Sequence, residues 1–247
     1  MNNYKKAAEI IKNANYPVAF TGAGISVESG IPPFRGPTGL WSRYDPKILD
    51  IDFFMSNPEE SWKYIKEIFY DYMGNTKPNE AHKFLAWLEK HGMLKGIITQ
   101  NIDNLHQEAG SKKVIEFHGT ASKMECTLCK RKFPSNQISL DTVPPLCPEC
   151  QGVLKPDFVF FGEPIPPEAF EESVKMCENA DCVLVIGTTG EIMPASQLPI
   201  LAKQNGAKII EINIEPSNYT NKITDVFLND KATIACSRLQ KELEKMT

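Results

Sequence analysis

The sequence predicts an α/β fold, a doubly wound parallel sheet carrying a small metal-held insert, and three observations support this. Short apolar runs that stop at glycine alternate with stretches of helical spacing, as in Pro17-Val-Ala-Phe-Thr21 followed by Gly22-Ala-Gly-Ile-Ser26. A strand that delivers its chain into a glycine turn is the start of a βα unit. Several of these runs end in Gly, Thr, Asn or His, at the edge that lines the ligand crevice of an open parallel sheet. Four cysteines, Cys126, Cys129, Cys147 and Cys150, stand as C-x2-C, seventeen residues, C-x2-C.

Taken in order, residues 3–14 have the spacing of a short amphipathic helix (Tyr4, Ala7, Ala8, Ile10, Ile11), and 17–21 read as a buried strand. Helical spacing returns over 58–72 (Trp62, Ile65, Ile68, Phe69, Tyr72) and over 80–91, which ends before Gly92. Residues 94–99 are a second strand, 104–109 a helical turn stopped by Gly110, and 114–117 a third strand ending at His118-Gly119. The insert occupies about 120–155. After it come a strand at 158–161, a helix at 167–179, a strand at 182–186 ending in Gly187-Thr-Thr-Gly190, a helix at 195–205, a strand at 208–213 and a closing helix at 239–246.

The two C-x2-C pairs are spaced for a structural zinc site, since each knuckle presents two thiolates and two knuckles close a tetrahedron. The stretch between them is turn-rich, with Pro134, Pro144 and Pro145, and too poor in apolar residues to hold itself together; a metal supplies what is missing. Four thiolates leave no open coordination position, so the expected zinc is structural and the chemistry lies elsewhere.

With 247 residues, 42% hydrophobic and 23% charged, the chain has the composition of one large domain with a small insert. A net charge of −4 and a pI of about 5.7 argue against a nucleic-acid binder, which carries a basic stripe. No apolar run approaches the roughly 18 residues of a membrane span, and the start lacks the apolar core of a secretory signal. Cysteines assigned to metal suggest a reducing compartment, so a cytoplasmic location is expected.

Gly22 and Gly24 follow a strand and let backbone N–H groups approach a phosphate, although Val27 stands where G-x-G-x-x-G has its third glycine. Gly187, Thr188 and Thr189 repeat the arrangement after another apolar run. Phe34-Arg35-Gly36 offers a ring and a cation in a Pro/Gly-rich loop. Gln100-Asn101-Ile102-Asp103, just past a strand end, suits a carboxamide or a ribose. Of four histidines, His118 is the best general-base candidate, because His82, His91 and His106 fall on helical stretches suited to packing or surface roles.

In this order, these clusters resemble the sirtuins, NAD-dependent protein-lysine deacylases. Thr21-Gly-Ala-Gly-Ile-Ser26, Ser29-Gly-Ile-Pro32, Phe34-Arg-Gly36, Thr99-Gln-Asn-Ile-Asp103, His118-Gly119, the four cysteines, Phe161-Gly-Glu163, Gly187-Thr188, Pro194-Ala195 and Asn213 carry the likeness over roughly residues 5–235. The resemblance implies a Rossmann-like part (about 1–30, 75–119 and 156–247) and a small part made of a helical, cofactor-loop stretch (31–74) and the zinc module (120–155). NAD is then consumed as a co-substrate in the cleft between the two parts. Acetyl-lysine in a peptide or protein is the other substrate, and free lysine, nicotinamide and O-acetyl-ADP-ribose are the products. It further implies His118 as base, with Asn101 and Asp103 at the nicotinamide end. Phe34, Arg35, Gln100, Ile102, Gly22, Ala23, Gly24, Gly187, Thr188, Thr189, Asn213 and Glu215 join them around NAD. Val159, Phe160, Gly162 and Glu163 offer a strand edge to the peptide, with Glu191 beside it.

The chain departs from the family pattern at Pro33, where an Asp or Thr is common, at Thr189 for serine, and at Glu191 in a loop that is more often apolar. Relatives that remove succinyl groups carry a Tyr-x-x-Arg pair; aligned through Trp62, those places fall on Ile65 and Ile68, which cannot hold an anion. Two alternative functions are ADP-ribosyl transfer from NAD and a zinc-ribbon binding module.

Overall fold

The computed structural model describes residues 2–34, 36 and 39–246. Helix α1 (Asn3–Asn13) is capped by the Asn2 side chain and buries Ala7, Ala8 and Ile11. It leads into β1 (Pro17–Thr21), buried at every residue, and two short 3-10 turns, Ala23–Ile25 and Val27–Ser29, follow. The chain then leaves the sheet through 3-10 turns at Leu40–Ser42 and Pro46–Leu49, helices α2 (Ile51–Ser56) and α3 (Pro58–Ile65), and a π-helical stretch Lys66–Tyr72. Helix α4 (Glu80–Lys90) starts from a reciprocal cap between Asn79 and His82. Next come β2 (Ile97–Thr99), α5 (Leu105–Glu108) and β3 (Val114–Glu116). The insert supplies β4 (Gly119–Cys126), β5 (Lys132–Pro134) and β6 (Leu154–Phe158). The chain closes with α6 (Pro167–Asn179), β7 (Cys182–Ile186), α7 (Gln197–Gln204), β8 (Lys208–Asn213), β9 (Val226–Asn229) and α8 (Ala232–Glu244).

Six strands form one sheet in the order β3-β2-β1-β7-β8-β9, every neighbouring pair parallel. Counting only these strands, the order is third, second, first, fourth, fifth, sixth, the doubly wound Rossmann arrangement, and it reverses between β1 and β7. Side chains alternate between its two faces. Cys182, Leu184 and Ile186 of β7, with Ile210 and Ile212 of β8, pack among residues of α1, α4 and α8. Val183, Val185 and Ile209 join Val18 and Phe20 in the core facing α6 and α7. This is the period-two pattern of a sheet covered on both faces.

A second sheet, β5-β4-β6, is antiparallel. Beneath it lies a separate core from Ile31 to Phe160, with Trp62, Ile65, Ile68 and Phe69 from the α3 region, Met124, Leu154 and Phe158 from the module, and Cys126 and Cys147. The Trp62 indole N–H donates to the Leu154 carbonyl at 2.8 Å, tying the helical stretch to the module.

The expected elements differ from this in a few places. The apolar run Phe158–Phe161 is not a strand: the strand precedes it at Leu154–Phe158, and Phe161 only bridges to Asp50. The last helix begins at Ala232, not Leu239, and β9 was not anticipated. No helix among the described residues is long and apolar enough to cross a membrane.

Candidate active site and metal centre

At the carboxyl ends of β1 and β7, the two glycine turns meet. A Cβ on Gly24 would lie 2.6 Å from the Gly187 Cα, and one on Gly187, at φ +65°, would lie 2.4 Å from the Ile25 nitrogen. The Gly24 N–H donates to the Gly187 carbonyl at 2.8 Å. These glycines are therefore needed for the contact of one turn with the other. That is why the missing third glycine at Val27 does no harm: the chain turns into 3-10 geometry there instead of a long helix.

Behind the turns lies a buried polar relay. Ser26 Oγ donates to Asp103 Oδ2 at 2.6 Å, and Asn101 Nδ2 donates to Ser26 Oγ and to the Gly22 carbonyl, each at 3.2 Å. His82 Nδ1 accepts the Asn79 N–H, which leaves His82 Nε2 to donate to Ser26 Oγ at 3.3 Å. Burial pushes His82 down to about 4, so it is neutral, and it pushes His106, whose ring stands 5.0 Å away, down as well. His106 Nε2 lies 2.9 Å from Thr21 Oγ1, which donates to Thr99 Oγ1. The packing role expected of His82 and His106 is thus a polar one, while His91 is exposed. Ser26 and the two buried histidines were not singled out in the sequence. The Asn79-to-His82 cap spacing was the available signal.

A cleft of about 1110 Å³ opens in front of this relay. Its wall includes Gly22, Ala23, Gly24, Phe34, Gln100, Asn101, Ile102, His118, Gly187, Thr188, Thr189, Asn213 and Glu215. Val159, Phe160, Gly162 and Glu163 also line it. Asp103 sits behind it; burial pushes its carboxyl up, opposed by hydrogen bonds from Ser26 and the Leu105 N–H. Arg35 lies outside the described residues. Glu191 is exposed and off the cleft wall, where Glu171 of α6 stands instead. Ile65 and Ile68 are sealed in the core below, and Phe69 is the residue of that stretch that reaches the cleft.

His118 lies in the two-residue turn between β3 and β4. Its Nδ1 is 3.0 Å from the Gln100 carbonyl, an acceptor only, so Nδ1 carries the ring proton and Nε2 is left as a base. Burial lowers its pKa and the carbonyl partly opposes this, which favours the neutral ring. Gln100 in turn donates to Thr188 Oγ1 at 3.2 Å, linking the histidine to the second glycine turn. Asn213 Nδ2 donates to the Thr188 carbonyl at 3.1 Å. The loop after β8, which presents Glu215, is anchored by the buried Glu211 carboxylate, which accepts from Ser217, Thr220 and Thr224. Phe34 packs on Trp41 with ring centroids 5.6 Å apart, and Trp41 on Phe161 at 6.1 Å, which extends the aromatic lining across the opening.

The strand edge expected at 159–163 is a closed turn. The N–H groups of Val159, Phe160, Phe161 and Glu163 are all used within the chain, on the His118 carbonyl, the Glu163 carboxylate, and the Leu49 and Phe160 carbonyls. One side chain, Glu163, and carbonyls from His118, Leu49 and Phe160 take up these donors, so a run that reads as strand by apolarity curls instead.

The four cysteines converge, with all sulfurs within 4.8 Å of one another. Cys126 and Cys150 sulfurs are 3.4 Å apart, and those of Cys129 and Cys147 are 3.8 Å apart. A tetrahedron with Zn–S of about 2.3 Å requires about 3.8 Å, and a disulfide requires about 2.05 Å, so the set fits a structural zinc and not two disulfides. Lys130 and Gln151, at φ +61° and +62°, turn the two knuckles.

The model of the Sir2 family matches residues 22–194. The chain belongs to the Sir2 family. An NAD-dependent protein deacylase 2 of Pyrobaculum aerophilum is 42% identical over 96% of this chain and 95% of its own length. An NAD-dependent protein deacylase of Thermococcus kodakarensis is 44% identical over 92% of this chain and 90% of its own. A solved Sir2 homologue in complex with ADP-ribose superposes with a TM-score of 0.93 at 39% identity, over 98% of this chain and 96% of that one. A Sir2 with a p53 peptide and NAD+ gives 0.90 at 36%, over 98% and 99%. The Sir2 resemblance read from the motifs therefore holds along nearly the whole chain.

Proposed function

We propose that this Sir2-family chain removes acetyl groups from protein lysines, consuming NAD, in the cytoplasm. The observation that carries this reading is His118: a neutral imidazole, locked by Gln100 with its free nitrogen as base, in a cleft that joins two glycine turns to an aromatic wall. NAD, when bound, supplies an activated glycosidic carbon and a ribose hydroxyl. Gly22, Ala23, Gly24, Gly187, Thr188 and Thr189 hold its phosphates, and Asn213 and Glu215 the adenosine ribose. Gln100, Asn101 and Ile102 order the nicotinamide end, and Asp103 supports them through Ser26. Val159 and Phe160 enclose the acyl-lysine stem. Phe34 screens the reacting face from water. His118 takes the hydroxyl proton on Nε2.

Incubation with NAD and an acetyl-lysine peptide is expected to give nicotinamide, deacetylated peptide and O-acetyl-ADP-ribose in equal amounts. His118→Ala is expected to lower kcat by about 10²–10⁴-fold with unchanged circular dichroism. Nicotinamide release that needs no peptide, with ADP-ribose left on protein side chains, would overturn deacylation in favour of ADP-ribosyl transfer.

A further inference from the structure

Lys155 lies on β6, in a segment that gives no sequence hint of function, yet its side chain is only 12% exposed. An ammonium held out of water is kept only where its donors are satisfied. Lys155 has three N–H donors and three acceptors: the Pro156 carbonyl at 3.0 Å, the Phe158 carbonyl at 2.8 Å and Glu163 Oε2 at 2.9 Å. The same ammonium sits 4.2 Å from the centroid of the Phe160 ring. Glu163 Oε2 also accepts the Phe160 N–H at 2.8 Å, and the Glu163 N–H returns to the Phe160 carbonyl at 3.0 Å. These partners span the last residues of β6, Pro156 and Phe158, and the turn that leaves it, Phe160 and Glu163, which with Val159 and Gly162 forms the cleft wall. One carboxylate oxygen of Glu163 is thus turned inward to hold the protein itself, a different use from the substrate contact expected of this residue.

We propose that Lys155 is a positioning residue for the peptide substrate: with Glu163 it forms a partly buried clamp that curls residues 156–163 and sets the Phe160 ring into the cleft wall. This rests on the deacylase reading above. The clamp touches only the peptide wall. The segment's link to the histidine is the main-chain bond from the Val159 N–H to the His118 carbonyl, which a side-chain substitution at Lys155 keeps, and among the described residues the Gly22–Gly24 and Gly187–Thr189 turns make no hydrogen bond to the clamp.

The test is steady-state kinetics of the full-length, zinc-loaded protein with an acetyl-lysine peptide and NAD, together with direct titration of the peptide by fluorescence anisotropy. Lys155→Met is expected to raise the peptide KM and Kd about tenfold or more, with the NAD KM and kcat within about threefold. Lys155→Arg, which keeps the charge, is expected to restore the peptide KM to within about threefold. Glu163→Gln is expected to raise the peptide KM, and combining it with Lys155→Met to add little, because both break one clamp. Glu163→Gln also serves if Lys155→Met fails to fold, since it keeps the ammonium and an acceptor. An unchanged peptide KM in folded Lys155→Met or in Glu163→Gln overturns the proposal, as does an equal rise in the KM of NAD. A wild-type protein that releases no nicotinamide but binds the acetyl-lysine peptide, and loses that binding in Lys155→Met, overturns the deacylase reading and leaves the clamp standing.

Discussion

On the sheet side of the cleft, Gly24 and Gly187 touch main chain to main chain, braced from behind by Ser26, Asn101, Asp103 and His82. On the other side, the wall is a set of aromatic rings carried by the turn after β6, whose strand runs back to the four-cysteine centre. The sheet wall is fixed by steric contact between segments remote in sequence, within a sheet whose two faces are both packed. The module wall is fixed by a four-cysteine centre fitted for zinc and one partly buried ion pair, above a core of its own. A cleft whose halves are held by different physics can have one half loosened without the other.

The strongest way to break that comparison is to remove the metal. Chelation, or Cys150→Ser, is expected to unfold the module, since small thiolate sites draw their folding free energy from the metal. Hydrogen exchange should show protection lost over 119–158 and kept over β1, β7 and β8, with peptide binding gone. Cooperative loss of protection in both regions at once would mean the two halves share one fate.

A smaller effect, about 3 kcal/mol, is expected from acid on the sheet side. His82 titrates near 6.5 in the unfolded chain and about 4 when folded. Between those values the unfolded chain binds a proton that the folded chain does not. Stability is therefore full above about 6.5, falls as the pH drops towards about 4, and His106 adds in the same direction. Global exchange protection of β1 and β7 at pH 7, 5.5 and 4.5 measures this, and His82→Gln should flatten the slope. A pH-independent value in the wild type would show that the relay is not held neutral.

The smallest effect sharpens the chemistry of the opening between the walls. The charged side chains lining the cleft among the described residues are Glu28, Glu163, Glu171, Glu215, Asp230 and Lys231, so carboxylates dominate. A succinyl carboxylate would meet apolar groups and five carboxylates against one cation, Lys231. Acetyl-lysine is expected to be preferred over succinyl-lysine by one to two decades in kcat/KM, the worth of a missing charge-assisted hydrogen bond of about 1.5–3 kcal/mol. The comparison uses one peptide with only the acyl group changed, and a preference for succinyl would require Lys231 or another cation to pair with the acyl carboxylate. Ile65 and Ile68 do not decide this, being sealed below the surface.

The sheet was legible wherever burial on both faces made a strand uniformly apolar, as in Cys182–Ile186, or left isoleucines dominant, as in Lys208–Asn213. Strand Val226–Asn229 escaped because it is a short edge strand whose apolar run, Val226 to Leu228, is only three residues long. Helix α8 was placed late because its first turn, from Ala232, has no side-chain cap to mark it. At the site, residues adjacent in sequence could be read: the glycine turns, Gln100 to Asp103, His118 and the cysteines. Ser26, His82 and Asp103 meet only after folding, across separations of 56 and 77 residues that no periodicity records. Nothing adjacent to Lys155 in the sequence marks its partners, and the curl of the following turn is what covers it.

The three cores differ in how much of the chain each needs. The core beneath the module draws every buried member from Ile31 to Phe160, while the core against α1 and α8 reaches from Ala7 to Leu243. Translation proceeds from the N-terminus, and a segment can pack only once it has left the ribosome. The module's apolar residues are all present before β7 has been made, whereas β1 waits for the partner that sets Gly187 against Gly24. In the cell, then, the aromatic wall can be assembled on a nascent chain that still lacks one of its two glycine turns, and the sites proposed for peptide and NAD arise one after the other.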